Sequence, residues 1–227
     1  MGSSSKRGTG RRLRRAWTHA LRKLAPLLLL FAFLVAGLAM PSSAHARETL
    51  QIPVTIHVAT KGGRSVVSEQ HVLASIIRAN RELAAFDIEL VVARIVPMRG
   101  GSHIETQDQR FALGRRAERD GTIHVFFVER VKLNNSRKGD RRVSGMHWRY
   151  HGLDSDIRGR EYLAVAHNAP ATTLVHEVGH AFGLTHDKDT DNLMCSCRRG
   201  LSSEFTDRQG RRLRLGAKRF LRRAARG

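Results

Sequence analysis

The residues best suited to chemistry lie in one stretch, His176-Glu177-Val178-Gly179-His180-Ala181-Phe182-Gly183-Leu184-Thr185-His186. On a helix, side chains four residues apart share a face. His176 and His180 therefore project side by side, and both imidazoles can reach one ion at the roughly 2 Å that zinc requires. A third ligand must arrive from beyond the helix. Gly183 tolerates the positive φ that ends a helix and turns the chain, which lets His186 fold back towards the same ion. Three protein ligands leave zinc one position for water, whose pKa falls from about 15.7 to roughly 7 on the metal. Glu177, adjacent to the first ligand, is placed to take that proton and to pass it to a leaving amine. The expected chemistry is peptide-bond hydrolysis without a covalent intermediate, zinc polarising the carbonyl and stabilising the oxyanion. A structural zinc site needs four closed ligands and no base. Glu177 and the open position thus favour catalysis over the alternative, a non-enzymatic, metal-stabilised protein that binds anionic surfaces through a basic C-terminal tail.

The elements that must position these groups follow from periodicity. Leu50–Ala59 alternates apolar and polar residues, as a strand with one buried face does. A helix starting after Ser68, a good N-cap, carries Val72, Ile76, Ala79 and Leu83 on one face. Strands are predicted over 88–96 and 123–131, the second with the near-continuous apolar character of a central strand. The polar segment 105–119 between them reads as helix or loop. Two further strands, 143–150 and 162–167, flank a loop that carries Asp154 and Asp156. A helix then begins near Pro170, with Leu174, Val178, Ala181 and Phe182 turned to the sheet and His176, Glu177 and His180 on another face. The last helix is announced by the capping box Thr206-Asp207-Arg208-Gln209, with Gly210 and Gly216 as weak points.

The zinc-binding pattern followed by Asn192-Leu193-Met194 resembles the metzincin clan of zinc peptidases. The eight-residue separation between His186 and Met194 is similar to that of matrixins, where the methionine forms an apolar floor under the metal. Asp187 after the third histidine instead resembles adamalysins. The resemblance implies a mixed α/β (α+β) fold: a twisted mixed sheet of about five strands with one antiparallel edge strand, an active-site helix and a C-terminal helix. It also implies that the edge strand 143–150 aligns an extended protein or peptide substrate. Cys195 and Ser196 stand where related families carry Tyr residues, so a tyrosine ligand at that position is absent.

Charge divides the chain into three. The formal net charge is +20, yet residues 1–46 hold eight basic and no acidic residues, 198–227 hold eleven basic and two acidic, and 47–197 hold 21 basic and 18 acidic. A body near neutrality argues against a nucleic-acid-binding core, and no nucleic-acid-binding motif is present. The first 46 residues have the layout of a secretory signal peptide: a basic run from Lys6 to Lys23, an apolar run from Leu24 to Met40, and Ala44-His45-Ala46 as a cleavage site. The sequence thus predicts a signal peptide over 1–46 and a catalytic domain over 47–227, which includes a basic helix over 205–227. The expected product, after cleavage near Ala46, is secreted or periplasmic. The competing reading is a membrane anchor, since 17 apolar residues sit at the lower limit for a span. The first strand starts within about five residues of the cleavage site, which leaves no long propeptide with a switch cysteine.

Weaker signals are resolved the same way. Asp187, Asp189 and Asp191 begin like a calcium loop, but Asn192 and Arg198 stand where Gly and Glu belong. His147, His151, Asp154 and His167 depart from the spacing of a second zinc site and read as ordinary strand and surface residues. Cys195 and Cys197 can pair locally, pair with another chain or stay reduced. The basic tail reads first as a packed helix with a solvated face, which is compatible with weak contact to an anionic surface.

Overall fold

The computed structural model describes residues 47–135, 139–197 and 203–226. The expected leader over 1–46 lies outside the described residues, as does Arg198. Among the described residues, no helix is long and apolar enough to cross a membrane.

The frame is a twisted mixed sheet built on β1 (Leu50–Lys61), which runs parallel to both β3 (Ile88–Arg99) and β5 (Ile123–Val128). Beyond β5 come β9 (Glu161–Ala166), also parallel, and β8 (Gly145–Arg149), the antiparallel terminal strand. A two-residue strand, β2 (Arg64–Ser65), returns on the end of β1. Every residue of β5 is buried, as its apolar run predicted for a strand covered on both faces.

Helix α1 (Glu69–Ala84) is capped by Ser68, whose hydroxyl accepts from the His71 amide. It buries Val72, Ile76, Ala79 and Leu83, the face expected from their spacing. Burial of Val72, Ile76 and Leu83 contributes up to roughly 1.5–3 kcal/mol each. The undecided segment 105–119 holds a helix, α2 (Gln107–Arg116), opened by a reciprocal Thr106–Gln109 capping box. Helix α3 (Thr172–Ala181) follows Pro170, and Leu174, Val178 and Phe182 are buried.

Three expectations are corrected. The strand read over 123–131 ends at Val128. At Glu129 the chain turns, with both Glu129 and Arg130 amides donating to the Ser102 carbonyl and the Glu129 carboxylate paired with Lys61 at the surface. The following β6 (Arg130–Asn135) joins a separate three-stranded sheet with β4 (His103–Ile104) and β7 (Gly139–Val143). The edge strand is shorter than 143–150, because Val143 pairs with Val131 in that second sheet and only Gly145–Arg149 pairs with β9. Finally, α4 (Asp207–Ala224) is unbroken through Gly210 and Gly216. A Cβ at Gly216 would lie 2.3 Å from the Phe182 carbonyl oxygen, and one at Gly210 would lie 2.0 Å from the Phe86 ring. The two glycines let the helix lie directly against the body.

Away from α3, the sheet buries a polar chain. His57 Nε2 lies 2.9 Å from His124 Nδ1, and His124 Nε2 lies 3.1 Å from Asp120 Oδ1, with His57 stacked on Phe126. Burial first, then His124, Arg94 and Arg116, lower the His57 pKa from 6.5 to about 4. Burial also holds His124 below its ordinary value, although Asp120 opposes this. A histidine whose folded pKa is depressed contributes stability that is complete above 6.5 and is lost as pH falls towards 4. For His57 the loss amounts to about 3 kcal/mol. Urea unfolding at pH 7 and pH 4 should show a drop of that order, reduced in His57→Gln. An equal drop in the variant would place the acid sensitivity elsewhere.

Candidate metal centre

Helix α3 presents His176 and His180 on one face, and its end is set by Gly183 at φ 92°. The Gly183 amide donates to the His180 carbonyl and the Leu184 amide to the Gly179 carbonyl, the paired bonds of a Schellman turn. That turn brings the exposed His186 back, so that ligand atoms of His176, His180 and His186 all lie within 4.8 Å of one another. His180 Nε2 and His186 Nε2 are 3.1 Å apart. Among the described residues this is the one group of three or more His, Cys, Asp or Glu side chains so arranged.

Hydrogen bonds select the tautomers. His176 Nδ1 donates to the Leu193 carbonyl at 2.6 Å, and His180 Nδ1 donates to the Leu184 carbonyl at 2.9 Å. A carbonyl can only accept, so each Nδ1 carries the proton and each Nε2 keeps a lone pair for a metal. Burial, reinforced by the neighbouring His186, holds the His180 pKa below its ordinary value and favours the neutral imidazole that a metal requires. Three imidazoles, one of them exposed, fit a borderline metal such as zinc with a position left open.

Glu177 is buried beside the first histidine. A Cβ at Gly145, the first residue of the edge strand, would lie 2.7 Å from Glu177 Oε1 and 2.5 Å from Thr173 Cγ2. The absence of a side chain at Gly145 is therefore what allows β8 to close over Glu177. Two residues along the same strand, the His147 ring stacks on His180 with centroids 6.5 Å apart and bonds Glu161 Oε1 at 2.7 Å. Burial would raise the Glu161 pKa, but His147, Arg149 and Arg223 hold it below the ordinary carboxylate value.

Met194 is fully buried, and a Cβ at Gly179 would meet its sulfur at 2.5 Å, so glycine in the middle of the zinc-binding pattern makes room for the methionine. The turn carrying Met194 is tied down twice. The Asp187 amide donates to the Met194 carbonyl, and the Asn192 and Gln209 side-chain amides bond one another at 3.0 and 3.1 Å. Gln209 also closes the capping box of α4, so the last helix and the metal-site turn share one residue. Gly145, the Leu193 carbonyl and the pairing of Asn192 with Gln209 escaped the sequence reading, which named Asn192 only beside the methionine and Gln209 only in a capping box.

The other polar residues are engaged separately. Asp187 Oδ1 accepts from the amides of Lys188 and Asp189, and Asp189 Oδ1 from that of Asp191. His167 Nδ1 donates to the Glu129 carbonyl, Asp154 accepts from the Asp156 amide, and His151 is exposed. Cys195 and Cys197 are joined to each other in a disulfide.

No family model and no curated protein sequence matches the chain. Solved structures do. Metalloproteinase-II from Bacteroides fragilis superposes with a TM-score of 0.51 at 15% identity, over 79% of this chain and 57% of that one. The archaemetzincin of Methanopyrus kandleri gives 0.48 at 15% identity, over 78% of this chain and 99% of that one. Promirolysin of Tannerella forsythia gives 0.46 at 11% identity, over 79% and 86%. The chain thus spans 57% of the length of the Bacteroides fragilis protein, and at 15% identity that likeness shows the fold alone: a mixed α/β domain built on a twisted mixed sheet.

Proposed function

We propose that this chain is an exported zinc-dependent endopeptidase, with His176, His180 and His186 as the metal ligands and Glu177 as the general base. The observation that carries this reading is the convergence of three imidazoles, two of them with their tautomers preset, beside a buried carboxylate of the same helix as those two. Zinc, when bound, lowers the pKa of water and polarises a carbonyl. Glu177 accepts a proton from the attacking water and delivers it to the departing amine, so the carboxylate ends the cycle as it began. Met194 floors the ligand cluster and keeps water from its buried side. Among the described residues β8 ends its sheet, and its outer edge could pair with an extended peptide, which would lie antiparallel to the strand and across the histidines. Asp187 and the Met194 spacing leave the assignment between matrixin-like and adamalysin-like subclasses mixed. Export through a leader cleaved after Ala46 would deliver the domain to the oxidising compartment that a Cys195–Cys197 disulfide needs.

Metal removal tests the reading. Dialysis against a chelator is expected to abolish cleavage of a quenched fluorescent peptide library, and one equivalent of zinc is expected to restore it. Undiminished cleavage by metal-free protein would refute a zinc peptidase. Stoichiometric zinc without cleavage of any peptide would favour the metal-stabilised, non-enzymatic alternative.

A further inference from the structure

Helix α4 divides its surface by charge. At about 100° per residue, Arg211, Lys218 and Arg222 lie on one side of Leu215. Arg208, Arg212, Arg219 and Arg223 lie on the other. All seven cations are exposed, and they fall within an arc of about 140° that holds no acidic residue. Among the described residues only Arg223 of this set has an acidic partner, Glu161 at 3.6 Å. A helical face stabilised within the protein would pair its cations; this one leaves six to repel each other.

The opposite face is committed. Leu213, Gly216 and Ala217 are buried, and Gly216 sits against the Phe182 backbone. Arg214, outside the arc, donates to the carbonyls of Glu48, Phe86 and Asp87 and pins the helix to the body. The apolar side therefore cannot turn outward and insert into lipid, and any partner is held by charge.

We propose that this arc docks the protein on an anionic lipid bilayer, with the helix axis along the surface and the guanidinium groups on lipid phosphates. Shape decides against a nucleic-acid groove. Cations fanned over a convex arc, on a rod of about 27 Å, can all reach a plane. A groove reader instead needs phosphate contacts at its flanks and hydrogen-bonding side chains at its centre. Here the centre is Leu215, 58% exposed, and the arc contains no Asn, Gln, Ser or Thr. A single apolar residue among cations suits the headgroup boundary. The docking is independent of the peptidase reading, since it uses none of the metal-site residues.

The test is co-sedimentation of the exported form, Arg47–Gly227, a compact unit without the leader, with vesicles of phosphatidylcholine and of an equal mixture with phosphatidylglycerol. Binding to the mixed vesicles is expected to exceed binding to neutral ones and to fall between about 0.1 M and about 1 M salt, where the screening length shrinks from about 10 Å to about 3 Å. Each cation beside an anionic bilayer contributes roughly five-fold, so the triple variant Arg211→Gln, Arg212→Gln, Arg219→Gln should lose on the order of a hundred-fold. The same positions changed to Lys should keep binding. A control triple at the exposed Arg64, Arg99 and Arg115, equal in net charge and off the helix, should bind like the native protein. Thermal melting confirms that each variant folds. Equal losses in both Gln triples would overturn the proposal in favour of diffuse attraction. So would a helix triple that loses affinity for a duplex oligonucleotide but not for vesicles.

Discussion

Glu177→Ala is expected to keep a full equivalent of zinc and to lose peptide cleavage by a factor of roughly 10²–10⁴, the range spanned by a positioned proton-transfer group. That corresponds to about 3–5 kcal/mol of transition-state stabilisation. Metal binding should survive because the three imidazoles draw their orientation from elsewhere: the Leu193 and Leu184 carbonyls and the Gly183 turn. Glu177→Gln is the sharper variant. It preserves the volume packed against Gly145 and Thr173 but cannot take a proton, so it separates lost chemistry from a cavity beneath the edge strand. Steady-state kinetics together with metal analysis would decide. If either variant retained native kcat/KM, Glu177 could not be the base.

His186→Ala is expected to abolish cleavage by a different route, loss of the metal itself. Removing one of three donors leaves two imidazoles on one helix face, too few to hold zinc against solvent. His186 is exposed and lies outside the core, so the variant should fold, retain native circular dichroism and emerge from gel filtration with substoichiometric zinc. His176→Ala would lose metal as well, but its buried ring and its bond to Leu193 make a stability loss accompany the effect. Full zinc occupancy in His186→Ala would remove the turn after Gly183 from the metal site. Together the two substitutions at 177 and 186 distinguish a missing base from a missing ion.

Legibility in the sequence followed the range of the interaction. Helix α1, its Ser68 cap and its buried face were readable because 3.6-residue periodicity and capping act within a few residues. The capping boxes at Thr106 and Thr206 act over the same range, yet only the second was read, because the residues after Thr106 are too polar to suggest a buried face. Strand partners were a different matter. The β5 run continued in sequence into β6, and nothing local showed that the chain would leave one sheet for another at Glu129. Gly210 and Gly216 were misjudged for the same reason. Judged by propensity they weaken a helix; judged by their neighbours, Phe86 and Phe182, they are where it touches.

The metal site divides along the same line. By itself the sequence singled out the three histidines, the carboxylate beside the first of them and the turn that brings His186 back, since all of them lie within eleven residues whose geometry is set by helix pitch and one positive φ. Only the tertiary structure decided which nitrogen His176 and His180 offer, which strand closes over Glu177 and what holds the Met194 turn. Those depend on Leu193 meeting His176 across 17 residues, Gly145 meeting Glu177, and Asn192 meeting Gln209. Such contacts form between segments that share no local periodicity, and packing of the whole chain alone brings them together.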